Sequence, residues 1–439
     1  MSPTEKFSSR LAWTSVTILT LVSILSFADR QIPSIMIGEL SADLLLNDTQ
    51  IGLISGTLFA IFFGIASVLF GWLADKANRR TVLILAILGW SILTGLCGLA
   101  QQFWDLAIYR TGVGIGEAAL GPIAYSVLAG FFPKERLPLA LGVLGTAPFL
   151  GSAVTAWGGA ALLTDFSIIK IYLGPLSDLA NWRLTFFTFG LMGLIVALTV
   201  KILPIPERKA GATSEKISLV PYLKIAWKFL LLMFLGVTIT GLVGYAVLMW
   251  GIEILLRVHE IPKTVGGKYF ALFNVIFGIG GSLGAGIIAS NFIKKGILNA
   301  HLRLAAFMVI LIWLSVFPFA LSDNISLSLM GLAGMILFMS CGPGLYGSAI
   351  QNASPEELRG RTASFYFISA NVIGFALGPF SLGFLNDYIF NAKNGYDETG
   401  IRYSVFWLGF ILYPIAVMSF FKASKLFLPL QQEVQENQY

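Results

Sequence analysis

The strongest constraint on this chain is a succession of apolar runs, each long enough to cross hydrocarbon. A spanning helix needs about 20 predominantly apolar residues. Runs of that kind lie near 11–36, 51–74, 81–101, 107–132, 139–163 and 183–203, then near 223–256, 267–292, 303–321, 325–351, 362–388 and 403–424. Inside a bilayer no water satisfies backbone N–H and C=O groups, so segments of this kind fold as helices. Composition agrees: of 439 residues, 56% are hydrophobic and only 12% charged, against about 25% in soluble domains. So little charge cannot coat a soluble core of this size. The expected fold is an all-α polytopic membrane protein of twelve transmembrane helices.

The runs fall into two sets of six. Between them lies a polar stretch, 204–222, containing Pro204, Pro206, Glu207, Arg208, Lys209, Glu215 and Lys216. The predicted organisation is an N-terminal half over 1–203, a cytoplasmic central loop over 204–222 and a C-terminal half over 223–439. With the N-terminus inside, inner segments carry 20 Lys and Arg residues and outer segments carry 7. By the positive-inside rule, both termini are then cytoplasmic. The first run continues well past the length of a signal-peptide core and lacks a small-residue cleavage site, so it reads as a span.

An internal repeat supports two related halves. Gly71-Trp-Leu-Ala-Asp75-Lys-Ala-Asn-Arg79-Arg80 aligns with Gly286-Ile-Ile-Ala-Ser290-Asn-Phe-Ile-Lys294-Lys295. Pro133…Arg136…Ala140 likewise aligns with Pro355…Arg359…Ala363. Both pairs fall on inner loops at equivalent places, the pattern of parallel six-helix repeats.

Several function classes are disfavoured. Cys97 and Cys341 both sit within apolar runs, and His259 and His301 stand alone, so neither a disulfide framework nor a metal site is expected. Gly112-x-Gly114 lies inside an apolar span with no preceding strand, which argues against a nucleotide loop. No nucleophile–base set or basic patch suggests an enzyme or a nucleic-acid partner.

The segment 71–80 resembles the signature loop of the major facilitator superfamily, with Asn78 where glycine is commoner. Arg110-Thr-Gly112-Val-Gly114-Ile-Gly116-Glu117 resembles that superfamily's helix-4 motif, and Gly142…Gly145…Pro148…Gly151 its helix-5 glycines. Phe27-Ala-Asp29-Arg30, Gly116-Glu117-Ala118, Asn78-Arg79-Arg80 and Leu256-Arg257-Val-His259 together resemble the spinster branch. The anion:cation symporter branch shares the Asp-Arg of the first span and the Glu of the fourth. What the spinster resemblance implies is a transporter of lysophospholipid-like or sphingosine-phosphate-like amphiphiles, with proton coupling through the first-span Asp. It implies no cofactor beyond a proton gradient, and a monomer in a bacterial inner membrane. The alternative cargo is a small organic anion or a drug-like compound.

Charges at membrane depth each cost at least about 2.5–3.5 kcal/mol on insertion scales, so they need a reason. Four stand out: Asp29, Arg30, Arg110 and Glu117. The first span ascends and the fourth descends, which puts Asp29, Arg30 and Arg110 in the outer half and Glu117 two turns deeper. The functional reading makes Asp29 and Glu117 the proton-coupling carboxylates. Arg30 and Arg110 would then pair alternately with them and with an anionic head group. The competing reading is a static salt-bridge network that fixes the packing of the two helices.

Within the signature loop, Gly71, Asp75, Arg79 and Arg80 form the expected gating motif. Asp75 would face the N-terminal dipole of helix 11 in one conformation, as the superfamily resemblance implies. Tyr245, Glu253, Asn274, Tyr346 and Asn371 are candidate cavity-lining residues, each equally readable as interhelical packing. For Glu253 and Arg257 the i,i+4 spacing favours a simple interfacial pair over an outer-gate contact, and Asp387 reads as interfacial too. The outer segment 164–182 is apolar enough to lie on the membrane surface, as packing or as a lid.

Overall fold

The computed structural model describes residues 9–132, 136–166, 170, 177–205, 219–355, 358–359, 362 and 368–436. The side chains of Asp75 and Asn371, Pro133, residues 167–169 and 171–176 of the segment 164–182, and most of the central loop lie outside the described residues. Spans in chain order are α1 (Arg10–Ile35), α2 (Asp48–Leu73), α3 (Arg79–Cys97), α4 (Phe103–Phe131), α5 (Leu139–Thr164) and α6 (Asn181–Ile202). The second set is α7 (Val220–His259), α8 (Lys263–Lys294), α9 (Ala300–Leu321), α10 (Ile325–Ala353), α11 (Gly374–Tyr388) and α12 (Glu398–Glu436). All but α11 are, by themselves, long and apolar enough to cross a membrane; α11 is extended at its start by a π-helical turn, Ile368–Ile373. The chain forms two compact units, Met1–Ala210 and Gly211–Tyr439.

In the first unit α1 packs on α5, α3 on α6, and α4 against α2 and α3. Glycines make these approaches close, as expected where small residues replace a hydrophobic driving force. A Cβ on Gly114 would lie 2.7 Å from the Phe59 carbonyl oxygen of α2, and one on Gly116 would lie 2.9 Å from Trp90 Cβ of α3. In the second unit α7 packs on α11 and α12, and α9 on α10 and α12. There Gly374 and Gly378 of α11 press against the backbone of α7 at Gly241 and Leu242.

Asn78 explains its own departure from the glycine expected at that motif position. Its side chain accepts the Arg80 and Thr81 amides, capping α3, a contribution of about 1 kcal/mol. Asn47 caps α2 through a reciprocal bond with Gln50, and Asn324 caps the first turn of α10.

Four π-helical turns occur among the described residues: Leu53–Thr57 in α2, Val154–Gly159 in α5, Asn274–Gly278 in α8, and Ile368–Ile373 leading into α11. Helices 2 and 8, and helices 5 and 11, are equivalent by the repeat. A π turn holds one residue more than the α-helix allows and bends the rod. α8 carries Gly278, Gly280, Gly281, Gly284 and Gly286, a density that permits bending, and its π turn ends on Gly278.

Several helices run longer than expected from hydropathy. α7 continues to His259, and α12 continues beyond 424 to Glu436. The extension of α12 is held by tertiary contact: Phe427 and Leu430 are buried, and Gln431 donates to the Asn352 carbonyl.

Beyond the ends of α3 and α9, the two units share an arginine device. Arg183, opening α6, donates to the Gly98 and Ala100 carbonyls beyond α3 and to Asp43 at 2.9 Å. Arg402, early in α12, donates to the Ala320 carbonyl of α9 and to Asp323 at 2.8 Å. Each guanidinium ties the start of its unit's last helix to the open carbonyls at the end of that unit's third helix. Its hydrogen bond and charge hold the exposed Asp323 carboxyl below the usual range.

Candidate functional site

All four intramembrane charges of the first unit converge. Asp29 and Arg30, adjacent on α1, point to two partners two turns apart on α4. Arg110 Nη1 lies 3.1 Å from Asp29 Oδ1, and Arg30 Nε lies 2.6 Å from Glu117 Oε2. Unlike charges pair, and because α1 and α4 run antiparallel that pairing crosses. Arg110 also donates through Nη1 to the Asp29 carbonyl and through Nη2 to the Arg30 carbonyl, both at 3.3 Å. It therefore clamps the α1 backbone as well as the carboxylate. Two carboxylates and two guanidiniums leave the quartet formally neutral, which is what permits its burial.

Neutral side chains complete the shell. Thr94 of α3 donates to Asp29 Oδ2. Ser26, one turn before Arg30, donates to Glu117 Oε2 at 2.7 Å. Ser152 of α5 donates to Gln31 Oε1, and Thr155 of α5 donates to the Ala28 carbonyl at 2.7 Å. Phe27, Phe59 and Phe63 surround the Arg30 guanidinium at 4.7, 5.4 and 4.5 Å from ring centroids, and Arg110 lies 5.3 Å from Phe59. Those aromatic faces partly replace hydration for the cations.

The two pairs differ in a way that matters chemically. Asp29 has both carboxylate oxygens occupied by donors, whereas Glu117 Oε1 is buried without a partner. The Arg110 side chain is fully buried, while Arg30 keeps 13% of its side chain exposed. The Asp29 carboxylate is fully bonded, though Arg110 Nε is buried without a partner; the other pair has an open edge on its cation and a bare oxygen on its anion.

The remaining expected residues lie elsewhere. In the second unit Glu253 is buried and bonds Arg257 Nε at 2.8 Å, the i,i+4 pair expected from spacing. Asn274 donates to the Phe270 carbonyl inside the α8 π turn, so it serves the backbone. Tyr346 of α10 stacks on Phe420 at 4.8 Å, and Tyr245 sits 4.8 Å from Phe375. In the inner loop Arg80 donates to the Leu203 carbonyl at 2.7 Å, joining α3 to the end of α6, while Arg79 begins the α3 helix. A Cβ on Gly71 would touch nothing within 4 Å. No group of three or more His, Cys, Asp or Glu residues is placed to hold a metal among the described residues.

Sequence reasoning missed Thr94, Ser26 and the phenylalanine box. Ser26 carried a signal, since it precedes Arg30 by four residues and so shares its helix face. Thr94 carried none, because only the packing of α3 on α1 and α4 brings it to Asp29.

This is the fold and the intramembrane charge arrangement of a secondary transporter. The Major Facilitator Superfamily profile matches residues 19–379, and the chain belongs to that superfamily. It resembles the spinster branch within it. An MFS-type efflux pump of Mycolicibacterium smegmatis is 26% identical over 392 residues, covering 87% of this chain and 86% of the pump. The sphingosine-1-phosphate transporter SPNS2 of Xenopus tropicalis is 28% identical over 200 residues, 45% of this chain and 36% of that protein. The crystal structure of a bacterial homologue of the human lysosomal transporter Spinster, inward-facing and unoccupied, superposes with a TM-score of 0.81 at 22% identity, covering 96% of this chain and 99% of the other.

Proposed function

We propose that this chain is a proton-coupled transporter of an anionic or zwitterionic amphiphile, of the lysophospholipid or sphingosine-phosphate type, working by alternating access. The observation that carries the reading is the Arg30–Glu117 pair, with its part-exposed cation and bare Glu117 oxygen, beside the buried Asp29–Arg110 pair whose carboxylate is fully bonded. A proton taken by Glu117 cancels its hold on Arg30. The Arg30 guanidinium, already partly exposed among phenylalanines, is then available to a phosphate or carboxylate. Proton and anion thus occupy the quartet together, each making room for the other. Asp29 supplies the second exchangeable position, and Arg110 anchors both helices.

The aromatic surroundings of Arg30 suit a head group carried on an apolar body, and the SPNS2 relative supports the lipid class. A small organic anion would use the same guanidinium and is the competing cargo. In this reading the signature loop, with Asp75, gates the inner side, and the transporter works as a monomer in a bacterial inner membrane with both termini cytoplasmic.

The test is uptake into proteoliposomes under an imposed pH gradient, offering a lysophospholipid, a sphingoid phosphate and a panel of small organic anions. Gradient-dependent flux of an amphiphile, lost in Glu117→Gln and reduced in Asp29→Asn, is the expected result. Flux of only small anions would replace the cargo; wild-type flux in both variants would remove the coupling role.

A further inference from the structure

Thr94 does something unusual for a hydroxyl inside a membrane helix. Thr185, Thr188, Thr240, Ser23 and Ser419 each donate to the carbonyl four residues back in their own helix. That is the ordinary local use of such a side chain. Thr94, fully buried on α3, instead sends its proton across to Asp29 Oδ2. It is the one contact from α3 to the quartet, among the described residues, that is made through a hydroxyl.

We infer that Thr94 is a positioning residue for proton exchange at Asp29, serving both protonation states of that carboxyl. A hydroxyl is donor and acceptor at once. Toward the carboxylate, Thr94 donates. When a proton settles on Oδ2, the Thr94 oxygen accepts it as a hydrogen bond and turns its own proton to the Trp90 carbonyl, one turn back. No covalent bond of Thr94 changes, and Asp29 keeps a partner on Oδ2 throughout. A carboxyl with a donor-only partner would be held in one state; one with no partner would leave a buried oxygen bare.

The groups facing Asp29 are few. Arg110 comes from α4, with Glu117 on the same helix acting at longer range. Arg30 is its neighbour on α1, and Cys97 lies on α3 one turn beyond Thr94. α5 contributes the neutral Thr155, on the Ala28 carbonyl. Of these, Thr94 alone can reverse its hydrogen bond without moving a charge.

This inference rests on the coupling reading above, and infrared difference titration of the purified protein separates the two without requiring a substrate. The carboxylic C=O band of Asp29 is assigned by its loss in Asp29→Asn. In Thr94→Val the band's midpoint should move to higher pH by about one unit, which corresponds to ~1.4 kcal/mol. The sign follows because the charge-assisted bond Thr94 donates to the carboxylate is stronger than the one it accepts from the acid, so its loss penalises the carboxylate more. The band should also move to higher wavenumber, because the protonated Oδ2 loses the oxygen it donates to while Oδ1 stays with Arg110. Thr94→Ser should retain the wild-type midpoint and frequency. If the valine variant does not fold, Thr94→Ala replaces it. A titrating Asp29 band unmoved by the valine or alanine change overturns the role of Thr94 alone. An Asp29 band that never titrates in wild type overturns both this role and proton exchange at Asp29.

Discussion

Replacing Gly151 with alanine puts a methyl group where α5 touches α1 at the quartet's edge. The new Cβ would lie 2.5 Å from the Ile24 carbonyl oxygen, 2.8 Å from Phe27 Cβ and 2.9 Å from the Ala28 amide nitrogen. Ordinary contact begins at 3.4 Å, and two of these three atoms are backbone, so α1 and α5 must separate by close to 1 Å. Overpacking of this kind costs about 1–3 kcal/mol. The movement falls next to Asp29, whose bond to Arg110 is already 3.1 Å. We expect a folded variant with a lowered melting temperature and a roughly tenfold loss of flux, tenfold being ~1.4 kcal/mol on a barrier. Gly142→Ala is the internal control: on the same helix, a Cβ there would touch nothing within 4 Å. That variant should match wild type or gain slightly in stability from alanine's better helix propensity. Thermal unfolding in detergent and flux in proteoliposomes read the two effects. A silent Gly151→Ala, or equal damage from Gly142→Ala, would refute the argument that helix proximity at Gly151 sets the geometry of the quartet.

Arg110→Met should destabilise by about 3–5 kcal/mol, because it strands a buried carboxylate; the double variant with Asp29→Leu should recover most of that in denaturant unfolding, and a double no better than the single would contradict the pairing. Asn78→Ala should cost ~1 kcal/mol through the lost cap of α3, while Asn78→Asp is tolerated; equal stabilities would deny the cap. Between α9 and α10, Asp323 is held low by Arg402, so its contribution is full above the ordinary carboxylate range and is lost as pH falls through the lowered value. Acid unfolding of Asp323→Asn should accordingly show less pH dependence than wild type in that region.

How much of this was legible depends on the kind of information each feature uses. Spans, halves and the inner-loop repeat follow from hydropathy and from short motifs, which are local properties of the chain. The four charges were found because each is costly at its depth, and cost is visible in sequence. Their crossed pairing was only half visible: depth placed Arg110 near Asp29, but the choice of Glu117 for Arg30 depends on rotamers. Thr94 and the phenylalanine box were invisible, since threonine and phenylalanine are ordinary in membrane helices and only tertiary packing gives them a role. The π turns were hidden for the same reason, apart from the glycines of α8. Helix ends failed where tertiary contact overrode hydropathy, as in the stretch of α12 held by Phe427, Leu430 and Gln431.

The central claim is that Glu117 exchanges its hold on Arg30 for a proton when an anion binds. Its most direct test is proton uptake by the detergent-solubilised protein, weakly buffered with a pH indicator, on adding a lysophospholipid, a sphingoid phosphate or a small organic anion. The account predicts alkalinisation of the medium by at least one ligand, abolished in Glu117→Gln and in Arg30→Gln. Binding of any of these ligands without proton uptake, or uptake that survives Glu117→Gln, would contradict it.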